Sequence, residues 1–414
     1  MKTFALSALS AVAYAASDKD HAARVAELNA GNPHATFSVE AISPHHKGGC
    51  YRAPSSLSTD EGALSFTADE LRAAEGAVAI DWREHGAVGP VQQQHPFGTC
   101  WAFSMTAVTE AVNVIQGGNA FEKLSEQMTV SCVPAAATGD NSDVLWSWAL
   151  ANTGGKYQTE AVYAYNRTCN SYRETQVSNA ATADAADAAA SDDVALCSLT
   201  PFYRHTHTRS LVRALFLSLS LSLQLAPDGK PDGYTKQCDF KHPAPAGPCP
   251  PCGPECRADG TPPCRLPETR SAGFSKASVQ GWGFIAPHGR RRLGTESAAA
   301  VAAADSGPND VTRMVAALLK YGPAQIGIDA SCVIGYTGGI ITNCTRTVAD
   351  QDHAVAIVGA GTDAASGVDY WLVRNSWDKT FGEDGYFRMQ RDTMQMGIFG
   401  GYFACFNKDC TVDP

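Results

Sequence analysis

The sequence predicts an α+β protein with two differently built lobes, because helical patterns come early along the chain and strand patterns come late. The stretch from Cys100 to Gln116 is apolar on one side and contains neither Pro nor Gly, so it predicts a helix that ends at Gly117-Gly118. After Pro323, short segments rich in Val, Ile, Tyr and Phe are separated by Gly and Asp, which is typical of strands. Together these patterns indicate the α+β class.

The other elements rest on local signals of the same kind. Thr67 and Glu70 have the spacing of a capping box, in which each side chain bonds the backbone N–H of the other residue, so a short helix should begin here. Periodic apolar segments predict the rest, namely helices over residues 143–150 and 312–320 and strands over residues 325–329, 353–359, 369–375 and 385–389.

Composition and charge narrow the class of protein. The chain has 414 residues, 44% of them hydrophobic, which is enough for a large core with more than one lobe. A net charge of -10 gives no basic patch for a nucleic acid, so we expect no nucleic-acid partner. Fourteen cysteines are many for a cytosolic enzyme and indicate disulfides formed in an oxidising compartment.

The N-terminus predicts entry into the secretory pathway. A basic start at Met1-Lys2 precedes an apolar stretch and the small residues of Ala13-Tyr14-Ala15, so residues 1–15 are interpreted as a signal peptide, with a buried N-terminal helix as the alternative. The apolar stretch is too short to span a membrane. Residues 16–77 are polar and mixed and are interpreted as a pro-segment. We therefore expect a lysosomal, vacuolar or secreted protein.

The middle of the chain has a different composition from both flanks. It contains an Ala/Asp-rich run, a Leu-Ser alternation over residues 217–223, a Pro-, Gly- and Cys-rich stretch over residues 241–264, and Arg290-Arg291-Arg292. These low-complexity compositions carry no readable core period. We interpret residues 180–305 as an insertion, either a disordered one or a translated non-coding segment of the gene model.

Four separated residues have the chemistry of a thiol nucleophile and its supporting groups. Cys100 opens a predicted helix, where the positive end of the helix dipole stabilises a thiolate. His353 enters a predicted strand, and Asn375 lies at the end of the next one. Gln94 precedes the Cys by six residues. A thiolate needs an imidazolium partner, a group that orients the imidazole ring and a donor for the oxyanion, and these residue types can supply all three.

The motifs around these residues resemble those of the papain-like cysteine peptidases, over residues 77–170 and 308–404. In that family the His and Asn follow the Cys by about 130–150 residues, whereas His353 follows Cys100 by 253. The surplus of roughly one hundred residues agrees with the predicted insertion. The matching blocks occur in the order of the family: Asp81-Trp82-Arg83, Gly86-Ala87-Val88, Pro90-Val91, Gln94, Cys100 to Ser104, Ser125-Glu126-Gln127, Gly338-Gly339-Ile340, Asp352 to Val355, Asn375-Ser376-Trp377 and Gly382 to Tyr386.

The resemblance implies a fold and a role for each residue. It implies a helical left lobe and a β-barrel-like right lobe with the active-site cleft between them. In the cleft, Cys100 would attack the peptide carbonyl, His353 would protonate the leaving amine, Asn375 would orient His353, and Gln94 would bind the oxyanion. Trp377 would shield the Asn–His bond. Taken alone, each of these residues also fits a purely structural position in core, strand or loop.

The same resemblance implies the partners of the enzyme. We expect a monomer that cleaves proteins or peptides without a metal or cofactor. Its pro-segment would lie in the cleft as an inhibitor until it is removed. The alternatives are an exopeptidase of the cathepsin B type, for which His242 and His288 lack the adjacency of that type's His pair, and a non-catalytic papain-fold binding or storage protein. The active endopeptidase is the preferred hypothesis, because a scaffold needs none of the four residues.

The resemblance also implies disulfides, with some departures from the family. The positions of one family bridge hold Phe97 and Asp140 instead of Cys. The next family bridge would join Cys132 to Cys169. Cys344 matches a half-cystine whose partner is open among Cys332, Cys405 and Cys410. Cysteines in the insertion, including Cys249, Cys252 and Cys256, could ligate zinc, although disulfides suit a secreted chain better.

Substrate preference follows from the positions that line the cleft in the family. Asp143 occupies the place of a Gly whose backbone bonds substrate, and it could favour a basic substrate group. The main specificity pocket would be apolar, and no carboxylate would close it. We therefore expect bulky apolar or aromatic residues at P2, and poor cleavage of substrates that carry Arg at P2. The lining would consist of Val144, Leu145, Gly327, Ala354 and Ala404.

Overall fold

The computed structural model describes nine stretches of the chain and three further single residues. All of them belong to one of two compact units, the one formed by Met1–Tyr172 and Gly247–Pro414. The other unit, Arg173–Ala246, lies outside the described residues, as do the predicted signal peptide and most of the predicted insertion. For residues 142–144 and 310 only the backbone is described. The described residues are 21–43, 63–75, 79–95, 98–133, 142–165, 264, 266, 274–285, 310–344, 351–391, 401–406 and 410.

Six helices are present in these residues, and the predicted ones are confirmed within a few residues. The helix that begins at Cys100 is buried over nearly its whole length and forms the centre of the helical lobe. The predicted capping box is also confirmed, because Thr67 N–H donates to Glu70 Oε2 at 2.7 Å and Glu70 N–H donates to Thr67 Oγ1 at 3.3 Å. The helices are α1 (residues 21–31), α2 (Ala68–Glu75), α3 (Cys100–Ile115), α4 (Glu126–Cys132), α5 (Ser142–Thr153) and α6 (Asp310–Tyr321).

The strands form a nine-stranded mixed sheet and a separate two-stranded one. The large sheet has the order β1-β7-β10-β9-β8-β6-β11-β5, with β2 paired to β8, and β3 pairs with β4 in the small sheet. The four predicted strands are confirmed as β6, β8, β9 and β10. The strands are β1 (Ala35–Phe37), β2 (Ile80–Asp81), β3 (Lys156–Gln158), β4 (Phe274–Ser278), β5 (Gly281–Phe284), β6 (Ala324–Ile328), β7 (Tyr336–Ile341), β8 (His353–Thr362), β9 (Asp369–Arg374), β10 (Tyr386–Gln390) and β11 (Tyr402–Cys405).

Strand β8 separates two hydrophobic cores. Val355 and Ile357 point into a core with α6 and the strands on either side, whereas Ala354, Ala356 and Val358 point into a core with α3 and α5. Successive side chains of a strand face opposite sides, so a strand covered on both faces needs an almost continuous apolar run. The sequence of β8 has that composition, and the strand carries His353 at its first position.

Parts of the predicted pro-segment pack against the β-rich side of the molecule. Strand β1 pairs antiparallel with β7, and Leu28 of α1 is buried in the core with α6. Asn32 is buried, and its Oδ1 accepts the backbone N–H groups of Thr342 and Asn343 at 2.8 and 2.7 Å. Helix α2 contacts α6 through an ion pair between Glu70 and Lys320 at 2.8 Å. These residues are therefore an integral layer of the fold in the full-length chain.

The C-terminal boundary of the predicted insertion needs correction. Strands β4 and β5 lie inside the range 180–305, yet β4 pairs with β3 and β5 pairs with β11. The segment escaped sequence analysis because it is short and rich in Ser, Lys and Gly, so it lacks the Val/Ile signal of a strand. Residues 274–285 are consequently part of the folded body.

The predicted bridge between Cys132 and Cys169 is also wrong in this structure. Cys132, at the end of α4, is bonded to Cys264 instead. Cys169 lies outside the described residues, as do Phe97 and Asp140. Sequence analysis assigned Cys132 by resemblance alone, and the chain brings the end of the Cys-rich stretch to α4. Two more bridges join Cys332 to Cys344, one of the open alternatives, and Cys405 to Cys410.

None of the helices in the described part of the chain combines the length and the apolar character that a membrane span requires.

Candidate active site

Cys100 is the first residue of α3 and lies against the start of β8. It is fully buried, and its Sγ accepts the backbone N–H of Ala354 at 3.3 Å. Among the described cysteines it is the one that forms no disulfide. The helix N-terminus places positive dipole charge at the sulfur, which favours the thiolate. The structure thus puts the candidate nucleophile in the core that α3 shares with α5 and β8.

His353 and Asn375 form the second part of the site, across neighbouring strands. His353 Nε2 and Asn375 Oδ1 are 2.8 Å apart, and both residues are buried. The backbone N–H of Ser376 also donates to Asn375 Oδ1, at 2.8 Å, which fixes the orientation of the amide. Since an amide oxygen can only accept, Nε2 of His353 must carry the proton. Nδ1 is then the nitrogen that can exchange a proton with the reacting groups.

Trp377 covers the His353–Asn375 pair. Its ring stacks on the His353 ring with 4.7 Å between centroids and 18° between planes. The ring of Phe381 packs edge-on against the Trp377 ring, with 5.1 Å between centroids and 89° between planes. Trp377 has no exposed surface, so it keeps water away from this side of the imidazole.

His353 is neutral near neutral pH in this closed structure. Burial lowers the pKa of its imidazole to about 4, and the bond to Asn375 offsets only part of that effect. Cys100 and His353 both have no exposed surface.

Gln94 approaches the same residues from the loop before α3. Its backbone N–H donates to the carbonyl of Ser376 at 2.9 Å, and the hydroxyl of Ser376 donates to Gln94 Oε1 at 2.6 Å. Because Oε1 is held in this way, the NH₂ end of the amide is the end that can face an oxyanion. The structure thus brings together the four residues that the sequence singled out.

Comparison with protein families agrees with this arrangement. Residues 77–199 and 289–404, more than half of the chain, match the family model described as papain family cysteine protease. The chain belongs to this family. The break in the match falls inside the predicted insertion, between the two blocks of papain-family sequence.

Individual relatives in the papain family are distant. A cysteine proteinase of Trypanosoma brucei brucei is 26% identical over 376 residues, which cover 88% of this chain and 56% of the relative. The germination-specific cysteine protease 1 of Arabidopsis thaliana is 25% identical over 319 residues, which cover 76% of this chain and 52% of the relative. The chain thus spans little more than half the length of these two proteins.

Solved structures of papain-family precursors share the fold. Digestive procathepsin L2 from the larval midgut of Tenebrio molitor matches with a TM-score of 0.52 and 18% identity, and the match covers 90% of this chain and 84% of that chain. A recombinant stem bromelain precursor matches with a TM-score of 0.51 and 19% identity, and the match covers 94% of this chain and 89% of that chain. The predicted papain-like α+β fold is confirmed.

The residues predicted to line the specificity pocket are partly brought together. Leu145, Ala354 and Ala404 lie in the same core cluster, and Gly327 pairs with Ala354 between β6 and β8. Asp143 and Val144 lie in the first turn of α5, and their side chains are outside the described residues.

Sequence analysis missed three supporting residues of the site. Ser376 holds Gln94, and Thr99 and Tyr165 bond each other at 2.7 Å beside the loop before Cys100. A signal existed for Ser376, because it lies between Asn375 and Trp377 in a block that already resembled the family. No local signal joins Thr99 to Tyr165, which are 66 residues apart.

A buried group of charges lies behind the site. Glu110 of α3 is 3.0 Å from Lys123 and 3.9 Å from Arg374, the residue before Asn375. Lys123 also contacts Glu126 at 2.6 Å. Burial raises the pKa of Glu126 to about 7, against the opposing effect of Lys123, and Glu110 raises it further. Glu110 and Arg374 therefore link α3 to the end of β9, next to Asn375.

Within the described residues, no three His, Cys, Asp or Glu side chains are close enough to hold a metal ion. The cysteines of the possible zinc site, Cys249, Cys252 and Cys256, lie outside those residues, as do His242 and His288 of the exopeptidase alternative.

Proposed function

We propose that this chain is the zymogen of a cysteine-type endopeptidase. The observation that carries the proposal is the buried His353–Asn375 bond at 2.8 Å, stacked under Trp377, one residue from the backbone N–H that contacts Cys100 Sγ. A structural core would not need a buried imidazole whose Nδ1 makes no hydrogen bond within the described residues. That nitrogen is the one that must move a proton during catalysis.

Acylation begins with attack of the Cys100 thiolate on the carbonyl carbon of the scissile bond. The electron pair of the C=O bond moves to oxygen, and the oxyanion is stabilised by the Gln94 side-chain amide and the Cys100 backbone N–H. The imidazolium of His353 then gives its Nδ1 proton to the leaving amine as the C–N bond breaks. The products of this step are the released amine and a thioester at Cys100.

Deacylation reverses the proton transfer. His353 Nδ1, now neutral, takes a proton from a water molecule that attacks the thioester carbonyl. Collapse of the second oxyanion breaks the C–S bond, releases the carboxylic acid and restores the thiolate. Asn375 keeps the ring in one orientation throughout, because Nε2–H stays on its oxygen while Nδ1 cycles.

Residues 16–77 are proposed to act as the inhibitory pro-segment. The contacts of α1, β1 and α2 with the β-rich side support this role, since they anchor the segment on both sides of residues 44–62. The complete burial of Cys100 and His353 in the full-length chain agrees with an inactive precursor.

Covalent labelling tests the activity directly. After acid treatment, an epoxysuccinyl peptide should form one adduct at Cys100, and peptide hydrolysis should disappear with it. Cys100→Ser should abolish both the adduct and hydrolysis while leaving the thermal unfolding temperature within a few degrees. Folded, processed protein that forms no adduct would support a non-catalytic binding or storage protein instead.

The substrate preference is a finer proposal. The apolar character of Leu145, Ala354 and Ala404 supports bulky apolar or aromatic residues at P2. A P2 peptide library should therefore favour Phe, Leu or Val, and a dominant preference for Arg would contradict the assignment. Peptides with blocked ends should be cleaved as well as free ones, whereas a requirement for a free terminus would identify an exopeptidase.

A further inference from the structure

We propose that the phenol hydroxyl of Tyr165 is a positioning group for the oxyanion site, holding the loop between Gln94 and Cys100 at both of its ends. The inference rests on the proposed peptidase activity and adds a residue that neither the motifs nor the roles assigned above include. Tyr165 belongs to the segment after β3, remote in sequence from the loop that it contacts.

The hydroxyl of Tyr165 makes two hydrogen bonds. It is 2.9 Å from the carbonyl oxygen of Gln94 and 2.7 Å from the hydroxyl of Thr99. A carbonyl oxygen can only accept, so Tyr165 uses its single proton on Gln94. Thr99 must then donate its own proton to the Tyr165 oxygen. The two hydrogen bonds therefore point in the same direction, from Thr99 to Tyr165 and from Tyr165 to Gln94, and each one polarises the other.

Thr99 is the residue before Cys100, at the N-cap position of α3. A Thr at this position usually accepts a backbone N–H of the first helical turn. Here the side chain makes no such capping bond, and it is fully buried. The hydroxyl is engaged with Tyr165 instead. The local sequence alone would predict a cap, so this use of Thr99 is a property of the tertiary structure.

Tyr165 is itself held in place by the helical lobe. Its ring packs edge-on against Phe103 of α3, with 4.8 Å between centroids and 83° between planes. Its backbone N–H donates to Glu160 Oε1 at 3.0 Å. A hydroxyl fixed by its ring and its backbone can therefore transmit a defined position to the loop.

The geometry explains why this loop needs a support. Ser376 holds the side chain and the backbone N–H of Gln94 from the β-rich side, whereas the carbonyl of Gln94 is held by Tyr165. The family bridge that would restrain this region is absent, because Phe97 and Asp140 occupy its positions. Oxyanion donors act only when they are held at hydrogen-bond distance from the developing charge. Tyr165 supplies a restraint at both ends of the loop.

The test is the substitution Tyr165→Phe, made in the protein and assayed after removal of the pro-segment. It removes the phenol oxygen and keeps the ring against Phe103. The substitution should shift the oxyanion donors without unfolding the loop. We therefore expect kcat for an amide substrate to fall about tenfold with little change in KM. Binding of a peptide aldehyde should weaken by about the same factor, since its adduct with Cys100 places an oxygen in the oxyanion site. Alkylation of Cys100 by iodoacetamide forms no oxyanion, so its rate should change by less than about twofold.

Four further variants complete the comparison. Thr99→Val should reproduce the effects of Tyr165→Phe, and Thr99→Ser should retain wild-type kinetics. The double variant Tyr165→Phe with Thr99→Val should be no worse than either single one, because all three break the same chain of bonds. Tyr336→Phe is the matched control: it removes a buried phenol hydroxyl that donates to Gly339 at 2.6 Å, away from the site, and should leave kcat unchanged.

The outcomes separate the two proposals. A wild-type enzyme that hydrolyses substrate while Tyr165→Phe does so equally well would overturn the positioning role alone. Parallel loss of hydrolysis and alkylation in Tyr165→Phe would also overturn it, because that pattern reports general damage to the site. Absence of hydrolysis and labelling in the wild type would overturn the proposed function, and the positioning role with it.

Discussion

The side-chain oxygen of Asn375 determines which nitrogen of the neutral His353 ring carries the proton. It accepts from the backbone N–H of Ser376 and from His353 Nε2, so the proton stays on Nε2 and leaves Nδ1 as the nitrogen for the proposed proton transfer. The stacked ring of Trp377 protects this bond from water. At the scale of single residues, the site is therefore specified by a few short bonds that burial makes strong.

Trp377→Phe should weaken this protection. The smaller ring exposes the His353–Asn375 bond to water and loosens the orientation of the imidazole, so kcat/KM should fall about tenfold. Because burial is what lowers the pKa of this imidazole, the alkaline limit of the pH–rate profile should move to higher pH. Trp371→Phe is the matched control, because Trp371 is equally buried but lies away from His353. Equal effects of the two substitutions on the pH profile would show that Trp377 acts only through packing.

Glu126 should make stability depend on pH. Its pKa is raised by burial from an ordinary value of 4.5 to about 7, so the folded protein holds a proton that the unfolded chain releases. Its contribution to stability is therefore complete below pH 4.5 and is lost as pH rises to about 7. Glu126→Gln should gain stability relative to wild type across this range, measured by urea unfolding. The exposed Glu84→Gln serves as control, and a pH-independent difference for Glu126→Gln would contradict the assignment.

Helix α2 is held by a local interaction, its capping box, and by a tertiary interaction with α6. Thr67 and Glu70 bond each other's backbone N–H, as the spacing predicted, and the other carboxylate oxygen of Glu70 contacts Lys320 of α6. The box starts the helix, and the ion pair and the burial of Ala74 join it to the β-rich side. The short helix thus owes its position to a contact that its own sequence does not encode.

Thr67→Ala should lower the free energy of unfolding of the full-length chain by about 1 kcal/mol, because it leaves a backbone N–H of the first turn without its cap. Thr67→Ser should restore most of the loss. Urea unfolding measures both. A Ser variant as unstable as the Ala variant would assign the effect to the lost methyl group and not to the hydroxyl.

Sequence analysis predicted elements well where the local pattern was strong. Helix α3 and strand β8 carry long apolar segments, and both were located within a few residues. Strand β7 was missed, because two adjacent glycines, Gly338 and Gly339, interrupt it. Its pairing with β1 and β10 comes from distant parts of the chain. Strand propensity reflects packing against neighbours, so a strand whose neighbours are remote leaves little local signal.

At the scale of the whole molecule, the bridge between Cys132 and Cys264 closes a loop that contains the predicted insertion up to residue 264. Peptide mapping without reduction should yield a fragment that joins these two cysteines. The physical reason is that β3 and β4 pair directly, which returns the chain to α4 after the insertion. Recovery of a Cys132–Cys169 fragment in its place would restore the family pairing and overturn the correction.

The corrected boundary of the insertion makes a second prediction at this scale. Replacing residues 180–250 with a short Gly-Ser linker should leave peptidase activity and thermal unfolding near wild type, since no described residue is removed. Extending the deletion to residue 290 should abolish folding, because it removes β4 and β5 from the two sheets. Equal behaviour of the two deletions, measured by circular dichroism and activity, would contradict the assignment.

The sequence by itself determined the family, the α+β class and the chemical groups of the site, because those depend on residue types in a fixed order and on local periodicity. Tertiary structure alone decided the partner of Cys132 and the strands at residues 274–284. It also decided the hydrogen bonds of Ser376 to Gln94 and those of Tyr165 to Gln94 and Thr99. Each of these is a contact between residues far apart in the chain. Such contacts depend on how whole elements pack, and local propensity carries no information about them.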